Sequence, residues 1–146
     1  MKKFILFALF LISAFGASAA ADKVVYSESP LPTQSKELLS KHFKAKVNFI
    51  KIDNDVLGRV SDYKAVLTDG TEVEFDAAGN LKAVEAGMNG VPKSLILPAI
   101  SKYIKDNCKN QKVLELEINK KYYKVQLLDG RELKFDRNGT FISEER

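Results

Sequence analysis

Two stretches, YKAVLTDGTEVEFDAAG at residues 63–79 and YKVQLLDGRELKFDRNG at residues 123–139, share one pattern and decide the fold. At this offset of 60 residues both keep the Asp-Gly pair, the later glycine and the alternating apolar residues. The same offset also aligns Pro32 with Pro92 and Phe43 with Tyr103. Self-similarity of this kind is typical of a duplicated supersecondary unit. The sequence therefore predicts two tandem copies of one unit.

Turn length decides which residues of these hairpins share a face. A two-residue loop at the Asp-Gly pair would mix apolar and charged residues on both faces. A three-residue loop over 68–70, ending in the left-handed glycine of a G1 bulge, instead pairs Tyr63 with Phe75 and Tyr123 with Phe135. A one-residue slip flips every side chain of a strand, so we favour the three-residue loop. The glycines predicted to be left-handed are Gly70, Gly79, Gly130 and Gly139.

Each unit opens with a helix that follows a proline. The pattern predicts one helix from Thr33 to about Lys44 and another from Lys93 to about Cys108. Because Pro98 lies inside the second segment, that helix either begins near Leu95 or is kinked. Strands are predicted over 47–52 and 113–118, ahead of the two hairpins.

These elements predict an α+β fold of two tandem helix-plus-four-strand repeats. They form a roughly eight-stranded antiparallel sheet with two helices on one face. The repeats span residues 20–86 and 87–146 within one structural domain, joined by a linker from Glu85 to Gly90.

The first 19 residues have the pattern of a cleaved signal peptide. Lys2 and Lys3 precede an apolar run from Phe4 to Phe15, and Ala17-Ser18-Ala19 fits an export cleavage site. The run is shorter than the ~20 residues that a membrane-spanning helix needs. We therefore expect a periplasmic or secreted protein, with no membrane insertion after cleavage.

Charge and composition exclude several classes of function. The full chain has 23 basic and 19 acidic residues, and loss of Lys2 and Lys3 leaves 21 − 19 = +2. This weak, evenly spread charge does not indicate nucleic-acid binding, which calls for a clustered basic stripe. The composition also predicts no cofactor.

Candidate catalytic groups are few. His42 is the only histidine and lies in the last turns of the first helix, where a solvated or capping role is common. Cys108 is the only cysteine, so it is either a partly buried thiol at a helix end or a link to a second chain. These parts are too few for a zinc or nucleophilic site, and the sequence predicts that the protein is not an enzyme.

Acidic residues in the predicted turns are candidate calcium ligands. Asp53-Asn54-Asp55 followed by Gly58 is similar to a fragment of a calcium loop, but it lacks the late bidentate Glu. A polar turn is the favoured interpretation. Asp76 and Asp136 occur in matching turn contexts, which indicates turn formation rather than acid–base chemistry.

The sheet face opposite the helices is the first candidate for binding. The partner-binding residues proposed there are Phe49, Lys64, Val66, Tyr122, Lys124 and Gln126. The same face is expected to carry Val47, Lys51, Val84, Val113 and Ile142, with Glu72, Glu74, Glu115 and Glu117 nearby. Apolar side chains on an open sheet are typical of a partner surface, although a merely polar face remains the alternative. A second candidate is the edge formed by the linker and turns, with Met88 and Leu128.

The doubled pattern resembles the small exported PepSY-like proteins, which are described as β-lactamase-inhibitor-like for their shape. The resemblance rests on residues 63–79 and 123–139 and on the two proline-led helices, and it covers nearly all of the mature chain. It implies a duplicated helix-plus-four-strand unit whose curved sheet could hold a protein partner. It brings no catalytic residues, and the family's usual proline after Phe43 is replaced here by Lys44.

From these features we expect a non-enzymatic exported protein-binding module, with inhibition of an envelope or secreted hydrolase as its specific form. The alternative is an envelope protein that binds a small ligand or calcium. The sequence does not specify an oligomeric state.

Overall fold

Antiparallel pairing of consecutive strands organises the whole sheet. The computed structural model describes residues 23–146, so the predicted signal peptide at residues 1–19 lies outside the described residues. Within that range the strands pair in chain order, from β1 to β9, and every neighbouring pair is antiparallel. The elements are β1 (Lys23–Val25), α1 (Thr33–His42), β2 (Val47–Asn54), β3 (Val60–Leu67), β4 (Glu72–Asp76), β5 (Leu81–Glu85), α2 (Pro98–Asn107), β6 (Val113–Ile118), β7 (Tyr122–Leu127), β8 (Glu132–Asp136) and β9 (Phe141–Glu145).

The α+β class is confirmed, but the described residues form a nine-stranded sheet instead of the predicted eight. The additional strand is β1, which pairs Lys23 with Ile52 and Val25 with Ile50 at the edge of β2. A three-residue strand is too short to show an alternating pattern in the sequence. It extends the sheet at the end where β2 would otherwise be the edge.

Both helices cover the same face of the sheet. Ser35 and Leu39 of α1 are buried, as are Ile100 and Ile104 of α2. They pack on sheet residues of one alternating set that are almost fully buried: Ile50, Ala65, Val73, Phe75, Leu116, Val125, Leu133 and Phe135. Burial of each large apolar side chain contributes about 1.5–3 kcal/mol, so this layer is the main source of stability.

The helices are shorter than predicted. α1 ends at His42, and α2 begins at Pro98, while Lys93–Leu95 forms a separate 3-10 turn. Leu97 is held in an extended conformation (φ −53°, ψ 137°) because a residue before proline disfavours the helical region. Proline is tolerated in the first helical turn, where its missing N–H would have no partner.

The predicted hairpin register is confirmed in both halves. Tyr63 pairs with Phe75 and Tyr123 pairs with Phe135. The N–H of Gly70 donates to the Leu67 carbonyl at 3.0 Å, which closes the three-residue loop. The four glycines have the left-handed φ values that the loops require: Gly70 86°, Gly79 93°, Gly130 87° and Gly139 84°.

Bulges correct part of the predicted face assignment. The register shifts at Asn48, Lys82, Leu114 and Ile142, each of which is left without a direct partner. An extra residue restarts the alternation of side chains. As a result Val47, Val84 and Val113, which were expected on the open face, lie on the helix-covered face.

Two of these glycines also let the helices approach the sheet. A Cβ atom on Gly79 would lie 2.7 Å from both Pro32 Cβ and Ser35 Oγ, and one on Gly139 would lie 2.8 Å from Ala99 Cβ. The buried Ser35 hydroxyl donates to the Gly79 carbonyl at 3.0 Å. The turns after β4 and β8 therefore pack directly under the first turns of α1 and α2.

Alanine substitution can distinguish the glycines that contact a helix from those that only form a turn. Gly70→Ala adds only the strain of a left-handed alanine, about 1–2 kcal/mol, because a Cβ there meets no atom within 4 Å. Gly79→Ala adds that strain and an overlap with α1 of about 1–3 kcal/mol. We expect urea denaturation to show the larger loss of unfolding free energy for Gly79→Ala, and the same order for Gly139→Ala against Gly130→Ala. Equal losses within either pair would contradict the close helix approach.

Candidate functional site

The sheet face that the helices leave uncovered, hereafter the open face, carries all six residues proposed for partner binding. Phe49 pairs with Val66, and Lys64 lies beside them on β3. Tyr122, Lys124 and Gln126 lie on β7. Because β4, β5 and β6 separate the two groups, the six residues form two clusters rather than one.

The first cluster is apolar and aromatic. The rings of Tyr26 and Phe49 lie 5.9 Å apart and are tilted by 59°. Tyr26 is 79% exposed, and Val24 beside it is also exposed. We call this group, Val24, Tyr26, Phe49 and Val66, the aromatic edge. Sequence reasoning missed Tyr26, because the strand that positions it is only three residues long.

Three lysines of the open face are paired with carboxylates. Lys64 Nζ lies 3.2 Å from Glu72, and Lys82 Nζ lies 2.6 Å from Asp62. Lys124 Nζ lies 2.8 Å from Glu132. Burial opposes the charge on Lys124, but its carboxylate partners outweigh burial and raise its pKa. The basic character expected for this face is therefore largely neutralised within the protein.

Aromatic and basic side chains also meet on β7 and β8. Lys134 Nζ lies 4.1 Å from the centre of the Tyr122 ring, within the range of a cation–π contact. Tyr122 is half-buried and does not extend the aromatic edge, since the two lie at opposite sides of the face.

Three glutamates lie side by side across the middle of the open face. Glu72 pairs with Glu85, and Glu85 pairs with Glu115. We call these three the glutamate row. Within residues 23–146, Glu72 forms an ion pair with Lys64, but neither Glu85 nor Glu115 forms one. Like charges directly opposite each other on a sheet are destabilising, so the row costs stability.

Burial and mutual repulsion change the titration of this row. Burial raises the pKa of Glu85, and the neighbouring Glu72 raises it further. Burial together with the charges of Glu85 and Glu132 raises the pKa of Glu115 to about 7, although Lys124 acts in the opposite direction. Glu115 is therefore partly protonated near neutral pH.

A groove follows the line between β5 and β6, where the two halves of the chain meet. Its volume is about 280 Å³. Glu85, Glu115 and Gln126 line its polar side, while Ala83 and Ile118 contribute apolar surface. The groove thus joins Glu85 and Glu115 of the glutamate row to two of the predicted binding residues, Lys124 and Gln126.

The turn aspartates serve the turns. Asp55 Oδ1 accepts hydrogen bonds from the N–H groups of Leu57 at 2.8 Å and Arg59 at 3.0 Å, and Arg59 lies 2.7 Å from Oδ2. Asp76 Oδ1 accepts from Asn80 N–H at 2.8 Å, and Asp136 Oδ1 from Thr140 N–H at 2.9 Å. Within residues 23–146 no three His, Cys, Asp or Glu side chains are placed to hold a metal ion.

His42 and Cys108 have structural surroundings. His42 Nδ1 lies 2.7 Å from Ser94 Oγ, so the end of α1 is tied to the 3-10 turn at Lys93–Leu95. Burial, with Lys41 nearby, lowers the pKa of His42. Cys108 is 1% exposed and burial raises the pKa of its thiol, which favours the buried-thiol interpretation over a link to a second chain.

The second candidate surface is small. Met88 is 67% exposed and Leu128 is 45% exposed. Lys112 Nζ donates to the Met88 carbonyl at 2.9 Å, and the Leu128 N–H donates to the Lys112 carbonyl at 2.9 Å. Both residues therefore flank Lys112 on the turn edge, and Met88 shares a surface pocket with Glu72 and Glu85 of the glutamate row.

Comparison with known proteins finds one matching family model and several similar crystal structures. A family model described as "Putative beta-lactamase-inhibitor-like, PepSY-like" matches residues 61–143. A crystal structure of a periplasmic protein of unknown function from Bacteroides vulgatus is 35% identical, with a TM-score of 0.80, and the match covers 86% of this chain and 100% of that one. No curated protein matches the sequence.

Two further crystal structures are also similar. One, from Bacteroides thetaiotaomicron, is described as a "putative calcium-regulated periplasmic protein"; it is 34% identical, with a TM-score of 0.79, over 86% of this chain and 97% of that one. Another periplasmic protein from Bacteroides vulgatus is 30% identical, with a TM-score of 0.79, over 88% of this chain and 99% of that one. All three relatives are described as periplasmic, in agreement with the predicted location. Among residues 23–146, neither helix is long and apolar enough to cross a membrane.

The raised pKa of Glu115 generates a pH prediction. The folded chain keeps a proton on Glu115 up to about pH 7, whereas the unfolded chain loses it near pH 4.3, so this residue lowers stability as pH rises between those values. We expect Glu115→Gln to raise the Tm by a few degrees at pH 8 and to leave it nearly unchanged at pH 4. The control is Glu117→Gln on the same strand, which pairs with Ala83 instead of a glutamate and should not raise the Tm at pH 8. Parallel Tm curves for wild type and Glu115→Gln would contradict the repulsion in the row.

Proposed function

Because the chain belongs to the PepSY-like, β-lactamase-inhibitor-like family, we propose that it is a non-enzymatic exported protein that binds another protein through its open face. In its specific form the proposal is that the bound partner is an envelope or secreted hydrolase, which the protein inhibits. The observation that carries the proposal is the aromatic edge, exposed on a sheet face that no element of residues 23–146 covers.

The aromatic edge supplies the contact that such a surface needs. Tyr26 and Phe49 touch each other and remain accessible, and Val66 extends the apolar surface on β3. Aromatic residues are enriched at protein interfaces and supply most of the binding energy as hot spots. We therefore expect the partner to bury the Tyr26 and Phe49 rings.

The glutamate row suggests the chemistry of the partner. Glu85 and Glu115 repel each other across neighbouring strands, and no lysine or arginine of residues 23–146 forms an ion pair with either. A lysine or arginine from a partner would relieve this repulsion and form charge-assisted hydrogen bonds. The expected partner thus presents a basic side chain next to an apolar one.

A binding role also agrees with the surroundings of the titratable groups, which have structural contacts. The turn aspartates accept backbone hydrogen bonds, His42 contacts Ser94, and Cys108 is buried. None of the descriptions of the three relatives names an enzymatic activity.

The repeated order of one helix followed by four strands supports a tandem duplication as the origin of the sheet. α1 precedes β2–β5, and α2 precedes β6–β9. We place the groove between β5 and β6 at the junction of the two copies.

The proposal is tested by affinity capture from a cell-envelope extract with two matched double variants. Tyr26→Asp with Phe49→Asp removes the aromatic edge and should reduce capture of a specific partner by about tenfold or more. The control, Val56→Asp with Leu57→Asp, changes two exposed apolar residues at the β2–β3 turn and should capture like wild type. If both variants capture the same proteins as wild type, the open face is not the binding surface.

Inhibition is then measured with the captured partner. We expect added wild-type protein to lower its hydrolytic activity and the aromatic-edge variant to have no effect at the same concentration. A captured hydrolase whose activity is unchanged at saturation would limit the protein to a binding role.

A second candidate function is calcium binding, favoured by the relative that is described as calcium-regulated. The turn aspartates are engaged with the backbone, whereas Glu85 and Glu115 form no ion pair within residues 23–146 and lie opposite each other on the open face. As they stand, no three acidic side chains in residues 23–146 converge on a metal position. Calcium would therefore have to draw Glu72, Glu85 and Glu115 together.

If the protein binds calcium, we expect millimolar calcium to raise the Tm by mass action, because calcium binds only the folded chain. Glu85→Gln should abolish the calcium-dependent rise, whereas Glu117→Gln should retain it. Differential scanning calorimetry with calcium and magnesium at equal ionic strength separates binding from charge screening. An unchanged Tm with calcium would end this candidate without affecting the protein-binding proposal.

A further inference from the structure

A second groove lies on the helix side of the protein, away from the open face. It is bounded by α2, by the segment from Val91 to Ile96 and by the loop from Asn110 to Lys112. Its volume is about 680 Å³, within the range of roughly 300–1,000 Å³ that is usual for small-ligand sites. Neither the repeat pattern nor the family resemblance points to this groove.

The floor of the groove is apolar. It is formed by side chains that belong to the core and are 3–6% exposed: Val91, Ile96, Ile104 and Val113. A floor of this kind favours the apolar part of a ligand through burial of hydrocarbon surface.

The rim is strongly basic. Four lysines and one aspartate line the groove: Lys93, Lys102, Lys105, Lys112 and Asp106. Lys102 forms an ion pair with Asp106, which neutralises one lysine and the only acid. The hydrogen bond from Lys102 lowers the pKa of Asp106, and the charges of Lys102 and Lys105 lower it further. Lys93 and Lys105 have no ion pair within residues 23–146.

Lys112 has a fixed position on this rim. Its aliphatic chain packs over Gly90, where an added Cβ would come within 3.1 Å of Lys112 Cγ. Its ammonium group donates to the Met88 carbonyl at 2.9 Å and keeps further N–H donors available. One cation of the groove is thus preorganised, with Lys93 and Lys105 as mobile cations around it.

We propose that this groove binds a small anionic amphiphile, whose hydrocarbon part lies on the Val91, Ile96, Ile104 and Val113 floor and whose carboxylate or phosphate meets the lysine rim. The choice of ligand rests on complementarity: an apolar floor selects a hydrocarbon body, and the excess positive charge of the rim selects an anionic head. This site is separate from the open face and does not depend on the protein-binding proposal.

The proposal is tested by NMR titration of the mature protein with dodecanoate and with dodecyl phosphate, each below its critical micelle concentration. We expect saturable shifts in the methyl signals of Ile96, Ile104 and Val113. Dodecan-1-ol, which has the same chain without charge, should bind at least about tenfold more weakly because it loses the charge-assisted contacts. Acetate, which has the charge without the chain, should cause no saturable shift.

Charge-reversal variants provide the matched control. Lys93→Glu with Lys105→Glu should weaken dodecanoate binding by about tenfold or more, since two attractive charges become repulsive. Lys120→Glu with Lys121→Glu, at the β6–β7 turn, makes the same change in net charge and should bind within about twofold of wild type. Tm measurements confirm that both variants are folded. Equal binding of the alcohol and the acid, equal effects of the two double variants, or the absence of saturable shifts would each overturn the proposal.

Discussion

The close approach of two turns to two helices is the constraint on which the rest of the structure depends. Gly79 and Gly139 lie so near the first turns of α1 and α2 that a Cβ atom would overlap helix atoms. The same glycines have φ values of 93° and 84°, which allow three-residue loops and fix the hairpin register. Glycine at these two positions therefore sets which side chains face the core and how closely the helices approach those side chains.

That constraint leaves the two faces of the sheet with different chemistry. On the helix-covered face, Phe75 and Phe135 are fully buried and form the centre of the core. On the open face, three lysines pair with carboxylates, but Glu85 and Glu115 form no ion pair within residues 23–146. Glu85 and Glu115 are held opposite each other because their strands pair through Val84 and Leu116, which the core requires. The repulsion is therefore maintained by packing, and it is relieved by protonation of Glu115 or by a cation bound to the row.

The bulges explain why some residues lie on the face opposite to the one that alternation predicts. Strict alternation puts Val84 and Val113 on the open face, but the bulges at Lys82 and Leu114 return both to the core. The helices show a related shift. The 60-residue offset aligns Phe43 with Tyr103, whereas the residue of α2 equivalent to the C-cap Phe43 of α1 is Cys108. The segment before α2 holds an additional 3-10 turn, so a constant offset describes the hairpins and not the helices.

The α+β class, the hairpin register and the left-handed glycines could be predicted from the sequence, because Asp-Gly turns and alternation are local and act over a few residues. The same patterns predicted Phe49, Val66 and Gln126 on the open face. Three features became visible only in the folded chain: β1 adds Tyr26 to Phe49, Glu85 lies opposite Glu115, and the lysine-rimmed groove forms beside α2. These features depend on which strands and loops become neighbours, and a contact between distant residues leaves no periodic signal in the chain.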